Sequence, residues 1–148
     1  MDDRPKVTEN GRMWAVLSYA SFLIGFPIGI LPLMMRDDAF ALYHAKHSTA
    51  VWLGVFATTM LLTVMYTGVF FATCGVGAFF VLPLFLAPAG WAMMTGIHGL
   101  ILAINDEWQE PLGTFGLGEA LFSNVHVDPS KVERPLLPGP VEPPEDAG

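Results

Sequence analysis

The longest uncharged stretch of this chain sets the strongest limit on its fold. Residues 48–105 contain no Asp, Glu, Lys or Arg. A membrane-crossing helix needs about 20 apolar residues, and backbone placed in lipid must satisfy its hydrogen bonds internally, which favours helices. A stretch of this length holds two such helices joined by a turn. The sequence therefore predicts an all-α integral membrane protein.

Closely spaced glycines place the turn between these two helices at residues 73–77, because two glycines so near each other break a helix. The two helices are predicted at about 40–72 and 78–104. Pro83 and Pro88 predict a bend in the first half of the latter. The single cysteine, Cys74, lies in the turn, and we expect a buried, inert thiol.

A third apolar segment, residues 13–35, also carries no charge until Arg36. Pro27 and Pro32 each remove a backbone donor, and Gly25 and Gly29 flank them, so a straight helix is not expected. The predicted architecture is a bundle of three transmembrane helices. The first is either Pro-kinked or re-entrant, dipping into the membrane and returning to the same side.

The two ends of the chain are polar and differ in composition from the middle. Residues 1–12 are predicted to form a polar N-terminal arm, and residues 106–122 an interfacial segment. Residues 123–148, rich in Pro and Glu, are predicted to form a disordered acidic tail. The net charge of −7 resides after residue 104, so a nucleic-acid partner is excluded, while a soluble partner for the tail is a candidate.

The distribution of Lys and Arg sets the expected orientation. Basic residues cluster before the first segment and in the loop after it, which predicts a cytoplasmic N-terminus and, with three crossings, a C-terminus on the opposite side. If the first segment is re-entrant, both ends share one side. The predicted location is the cell (inner) membrane, as a multi-pass protein.

The entrance to the second helix concentrates ionisable side chains. Asp37 or Asp38 is a suitable N-cap, and a helix from there to about residue 72 would be about 52 Å long, against a hydrocarbon core of about 30 Å. Its first turns must therefore protrude or lie among headgroups. One face of these turns carries Phe40, His44, His47 and Val51, with Lys46 beside them and able to reach lipid phosphates.

His44 and His47 admit three interpretations. They can mark an interfacial turn, form a metal pair at i, i+3 spacing, or serve the fold by hydrogen bonding to a neighbouring helix. The metal pair lacks a further ligand cluster downstream, so they are weak candidates, and no metal or cofactor is predicted. His98 is the other ionisable residue within the apolar region.

Two sets of small or hydroxylated residues are candidates for helix packing. The first set lies on one side of the third predicted helix and consists of Ala92, Gly96, Gly99 and Ala103. The second is a stripe on the second helix, Thr59, Thr63 and Thr67, whose hydroxyls can bond either a neighbouring helix or the carbonyl four residues earlier.

Four positions are shared with a known pattern: Tyr19 in A-V-L-S-Y, Pro32 in Pro-Leu, and His44 and Lys46 in H-A-K. With the charged loop at 36–38, they resemble small bacterial membrane proteins related to the Tic translocon component of the chloroplast inner envelope and to MamF-type magnetosome membrane proteins. The likeness covers about residues 13–122. It departs at Asp106, where glycine is usual. It implies no catalytic motif, and marks these four positions as fold landmarks.

The predicted function is that of a non-enzymatic membrane protein, an assembly, scaffold or translocon-like component whose partners are the lipid bilayer and other membrane proteins or further copies of itself. Broken helices favour an alternative, a small channel or transporter subunit, although residues 48–105 hold no acidic or basic side chain to couple ions. A membrane metal-binding protein using His44 and His47 is the third alternative.

Overall fold

A computed structural model describes residues 5–131 of the chain, and throughout that part the regular structure is helical. The helices are α1 (Glu9–Ile24), α2 (Ile30–Met35), α3 (Ala39–Ala72), α4 (Ala78–Val81), α5 (Leu86–Ile104) and α6 (Leu117–Phe122), with a 3-10 turn at Leu82–Phe85 between α4 and α5.

Helix α3 follows the capping signal in the sequence. The Asp38 carboxylate accepts a hydrogen bond from the Ala41 amide at 2.8 Å, satisfying one of the free donors of the first turn. The helix then runs for 34 residues, about 51 Å. It is one of two helices in residues 5–131 that are long and apolar enough to cross a membrane, the other being the stretch Ala78–Ile104.

The connection between those two helices lies at the predicted turn. Cys74 and Gly75 both adopt positive φ, 50° and 91°, which reverses the chain. Contrary to expectation, the Cys74 thiol is exposed, because the turn projects beyond the packed part of the molecule. The stretch that follows is irregular where Pro83 predicts it, with a 3-10 turn in place of α-helix.

The first apolar segment does not form one long helix. Helix α1 ends at Gly25, which has a φ of 72° and closes the helix in the left-handed conformation. The chain then returns through α2 to Asp38, whose carboxylate accepts a hydrogen bond from the Thr8 hydroxyl at 2.6 Å. Because Thr8 is the N-cap of α1, the segment begins and ends at one level, the course expected of the re-entrant alternative.

Helix α1 is also shorter and begins earlier than the sequence suggested. Its 16 residues span about 24 Å, less than a hydrocarbon core. Its first turn uses residues 9–12 of the predicted polar N-terminal arm, because the Thr8 hydroxyl accepts a hydrogen bond from the Gly11 amide and caps the helix. A third crossing helix is thus absent from the described part of the chain.

After α5 the chain folds back along the same helix, and its placement at a membrane surface stays a prediction. Three α5 side chains bond the backbone of this segment. The Trp91 indole donates to the Gly113 carbonyl at 2.9 Å, the Thr95 hydroxyl donates to the Leu112 carbonyl at 3.0 Å, and His98 Nδ1 accepts from the Leu112 amide at 3.1 Å. Helix α6 then returns against α3.

The first residues of the predicted tail are tied to the rest of the molecule. The Asp128 amide donates to the Arg36 carbonyl at 2.8 Å, and Lys131 Nζ donates to the Met35 carbonyl at 3.0 Å. The order therefore extends to Lys131. The disorder predicted for the remaining tail concerns residues 132–148, which lie outside the described residues.

Burial divides α3 into two parts. Nearly every residue from Phe40 to Val51 is buried on all sides, and from Trp52 onward the residues are exposed or half-buried. We call the packed part the head. It consists of α1, α2, residues 39–52 of α3, residues 95–104 of α5, and residues 105–131.

Candidate functional site

The centre of the head is His44, whose side chain is completely buried. Its Nε2 lies 3.1 Å from the Glu107 carbonyl oxygen, which can only accept, so Nε2 carries the proton. Complete burial favours the neutral ring, in which Nδ1 accepts, and the Tyr19 hydroxyl donates to it across 3.2 Å. His44 thus joins α1, α3 and the segment after α5 as a neutral imidazole.

Two of the four landmark positions, Tyr19 and His44, bond to each other and join α1 to α3. Tyr19 and His44 form a hydrogen-bonded pair whose rings also meet edge to face, with centroids 5.6 Å apart. Pro32, another landmark, is fully buried in α2. The bonds made by His44 correspond to the fold role that the sequence left open beside the interfacial and metal interpretations.

Lys46, the fourth landmark, does not extend toward lipid phosphates. Its side chain is 10% exposed, and its Nζ lies 3.3 Å from Glu119 Oε2 on α6. The reason is that α6 packs on the face of α3 that would otherwise meet headgroups. Burying an ammonium requires a compensating charge, and Glu119 supplies it while joining α6 to α3.

His47 lies under α6 and is 1% exposed. Within residues 5–131 neither ring nitrogen has a hydrogen-bond partner. The absence of a Cβ at Gly118 lets α6 approach the imidazole, since a Cβ there would overlap the ring. Its other neighbour is the Tyr43 ring, edge to face at 4.8 Å.

The geometry does not assemble the histidines into a metal site. Both His44 nitrogens are engaged by Tyr19 and by the Glu107 carbonyl. Across the described ranges, no three His, Cys, Asp or Glu side chains lie close enough together to hold an ion. The pair His44 and His47 therefore has neither free nitrogens on both rings nor a third ligand.

Gly96, Gly99 and Ala103 of α5 face α1. A Cβ on Gly99 would overlap the Tyr19 ring, and one on Gly96 would come within 2.9 Å of Phe22. Ala103 is fully buried in the cluster that contains Tyr19, and Ala92 is half-buried. The glycines thus let the aromatic rings of α1 rest directly on the α5 backbone.

The threonine stripe of α3 is turned away from the other helices. The Thr63 hydroxyl donates to the Thr59 carbonyl and the Thr67 hydroxyl to the Thr63 carbonyl, each at 2.8 Å. Thr63 and Thr67 are exposed and Thr59 is half-buried. Of the two alternatives for these hydroxyls, Thr63 and Thr67 take the bond to their own helix.

An ion pair fastens the start of α1 to the end of α5. Arg12 donates two hydrogen bonds to the Asp106 carboxylate, from Nε to Oδ1 at 2.6 Å and from Nη2 to Oδ2. Asp106 has a φ of 59°, in the left-handed region that glycine adopts most easily. The departure from glycine at this position therefore places a carboxylate where Arg12 can bind it.

Glu110 organises the turn that leads into α6. Its carboxylate accepts hydrogen bonds from the Thr114 hydroxyl and from the Gly116 amide. These bonds favour the ionised form, and the Thr114 hydroxyl is the main cause that lowers the pKa of Glu110 below its ordinary value of 4.5. The turn is thereby tied together by one charged side chain.

Sequence reasoning missed the residues that hold the fold-back segment. Trp91, Thr95 and His98 recur at i, i+4 and i+7 and so form one polar stripe on an otherwise apolar helix. That stripe is the signal that could have predicted a backbone partner. The tie between Lys46 and Glu119 carried no comparable local signal, because 73 residues separate them.

Comparison with known proteins adds no relative. No family model, no characterised protein and no solved structure matches the chain. The resemblance to Tic-related and MamF-type proteins therefore stays a prediction. The side chains of the head hold α1, α3, α6 and the segment after α5 together. They do so through the hydrogen bonds of His44 and the ion pair of Lys46 with Glu119.

Proposed function

We propose that the chain is a multi-pass protein of the cell (inner) membrane that acts, without catalysis, as an assembly or scaffold component comparable to a translocon subunit. It is anchored by α3 and by the stretch Ala78–Ile104. It works by packing the exposed faces of these helices against helices of partner membrane proteins.

The length of α3 supports the membrane placement. The helix is about 51 Å long and a hydrocarbon core is about 30 Å thick, which leaves about 21 Å, or about 14 residues, outside. Counted from Ala39, those residues end at Trp52, where burial by the head also ends. The remaining residues, 53–72, are of a length that fits the hydrocarbon.

The observation that carries the assembly role is the contrast between two kinds of helical glycine. Gly54 and Gly99 have an internal use, because a Cβ on either would overlap an aromatic ring of the chain itself. Gly68 on α3 and Gly90 on α5 face open space. A glycine inside a helix costs about 0.5–1 kcal/mol relative to alanine, and close approach of another helix offsets that cost.

The resemblance to Tic-related proteins is consistent with this proposal, since it implies action through partners. The alternative of a small channel or transporter subunit stays a prediction, because its path would lie between several copies of the chain.

The test is co-purification of the tagged full-length chain from its native membranes after photo-crosslinking. Gly68→Leu should lose the crosslinked partners, because a leucine fills the space that the partner helix occupies. The matched control is Thr63→Leu, which lies about 140° around α3 from Gly68 and is also exposed.

If Gly68→Leu kept the crosslinked partners and Thr63→Leu lost them, the partners would bind the Thr63 face of α3. That result would contradict an interface at Gly68. Recovery of the tagged chain alone, with every variant, would contradict a scaffold role. A crosslinked dimer of the chain would mean that the partner is a second copy rather than another protein.

A further inference from the structure

Two separate turns of the head end at the same level of α3. The Trp52 indole donates to the Ser21 hydroxyl at 3.2 Å, so the tip of the α1–α2 turn lies just beyond Trp52. The Trp91 ring rests on Gly54, and its Nε1 donates to the Gly113 carbonyl, so the tip of the fold-back segment lies beside Gly54. This is the level at which the head stops enclosing α3.

Both tips present large apolar side chains. In the α1–α2 turn, Leu23 is 75% exposed and Phe26 is 65% exposed, and in the fold-back segment Phe115 is 86% exposed. Near the opposite end of the head the exposed residues include the charged Glu9, Arg36 and Asp37, beside the apolar Met34 and Met35. The charged side chains of α1, of the α2–α3 loop and of the start of α3 therefore lie at one end of the head, away from the end that points along α3.

We propose that both tips insert into the hydrocarbon edge of one leaflet, which makes the chain a wedge that prefers membranes curved convexly toward the head. This inference rests on the proposed membrane placement of α3. The partner it names is a lipid leaflet whose headgroups are spread apart, exposing hydrocarbon to the tips.

The wedge follows from the number of chain segments at each depth. In the leaflet beside the head lie α3, α5 and the two tips, which are fixed to them through Trp52 and Trp91. In the other leaflet lie α3 and the stretch from α4 into α5. Extra cross-section in one leaflet is accommodated most easily where that leaflet is expanded. Amphipathic helices that insert apolar side chains at the interface show the same sensitivity to curvature.

The experiment measures protein density on vesicles of different diameter. Full-length protein is labelled at Cys74, the one cysteine of the chain, and reconstituted into phosphatidylcholine–phosphatidylglycerol vesicles ranging from small to large. A membrane-impermeant quencher removes the signal of molecules whose turn faces outward, leaving those with the head outside. Fluorescence per unit of lipid should be several-fold higher on the small vesicles.

Two matched triple variants test the tips themselves. Replacing Leu23, Phe26 and Phe115 by alanine should abolish most of the enrichment. Replacing three equally exposed apolar residues at the far end, Phe71, Phe79 and Phe80, should preserve it. Equal loss in both variants would overturn the assignment to the tips.

Failure of this inference is distinguishable from failure of the membrane placement. Resistance to extraction by alkaline carbonate reports that α3 and the stretch Ala78–Ile104 are inserted in the membrane. Protein that resists extraction but shows the same density on all vesicles would overturn the wedge alone. Protein that is extracted would overturn both.

Discussion

The hydroxyl of Thr8 donates a hydrogen bond to the carboxylate of Asp38 at 2.6 Å, joining the N-cap of α1 to the N-cap of α3. Thirty residues separate the two in sequence. The bond means that the chain enters the head, turns at Gly25 and comes back before the long helix begins. It therefore decides between a kinked crossing and a returning segment, and it places the N-terminal arm beside the start of α3.

Removing the Asp38 side chain should destabilise the head more than removing its neighbour. Asp38→Ala deletes the α3 cap and the bond from Thr8, and loss of a cap alone costs about 1 kcal/mol. Asp37→Ala is the control, since Asp37 is exposed and caps no helix. The two variants are compared by their midpoints of unfolding in sodium dodecyl sulfate, measured in mixed micelles by circular dichroism. Equal midpoints for the two variants would count against the cap.

Tyr19→Phe should weaken the fold although the ring is retained. Without the hydroxyl, the buried Nδ1 of His44 loses its donor, and an unsatisfied buried acceptor costs about 1–3 kcal/mol. Tyr66→Phe is the matched control, because the Tyr66 ring lies against Phe85 and no hydrogen bond of its hydroxyl is found in residues 5–131. The same unfolding measurement applies. A Tyr19→Phe midpoint as high as that of Tyr66→Phe would contradict the role given to His44.

Two glycine-to-alanine substitutions on α5 should act in opposite directions. At Gly99 the new methyl group overlaps the Tyr19 ring, and overpacking of this kind costs about 1–3 kcal/mol. At Gly90 it meets nothing, and alanine should stabilise the helix by about 0.5–1 kcal/mol. Thermal midpoints in detergent, where no partner helix is present, test the pair. Stabilisation by Gly99→Ala would show that α1 and α5 are farther apart than the contact of Gly99 with the Tyr19 ring implies.

The turn before α6 should loosen in acid. Because hydrogen bonds lower the pKa of Glu110 in the folded chain, its contribution to stability is present above the unfolded pKa of about 4.5 and is lost as the pH falls through the folded value. Hydrogen exchange of residues 110–118, corrected for intrinsic rates, should accelerate over that range. Glu110→Gln should remove this pH dependence. If the wild-type turn were equally protected from hydrogen exchange at every pH in that range, the role given to Glu110 would be wrong.

The sequence was most informative where local signals agree. The Asp38 cap, the absence of charge and the closely spaced glycines at 73–77 predict α3 and its turn, because caps, helix length and glycine breaks are properties of neighbouring residues. Pro83 likewise predicts the irregular stretch before α5, because it removes a backbone donor.

Long-range bonds decided the features that the sequence left open. Gly25 and Pro27 suit either a kink or a reversal, and the bond from Thr8 to Asp38 selects the reversal. The fold-back segment depends on Trp91 meeting Gly113, a contact across 22 positions that no local pattern specifies. Lys46 likewise pairs with Glu119 in place of lipid because α6 returns to cover it.

We propose that two helices cross the membrane while the head, with both ends of the described chain, lies on one side of it. Single-cysteine labelling with a membrane-impermeant thiol reagent in oriented vesicles tests it most directly, using Cys74 itself and, in a Cys74→Ser background, Asn10→Cys and Asn124→Cys. All three positions are exposed. Positions 10 and 124 should be labelled from one side and Cys74 from the other. Labelling of positions 10 and 124 from opposite sides would rule out this topology.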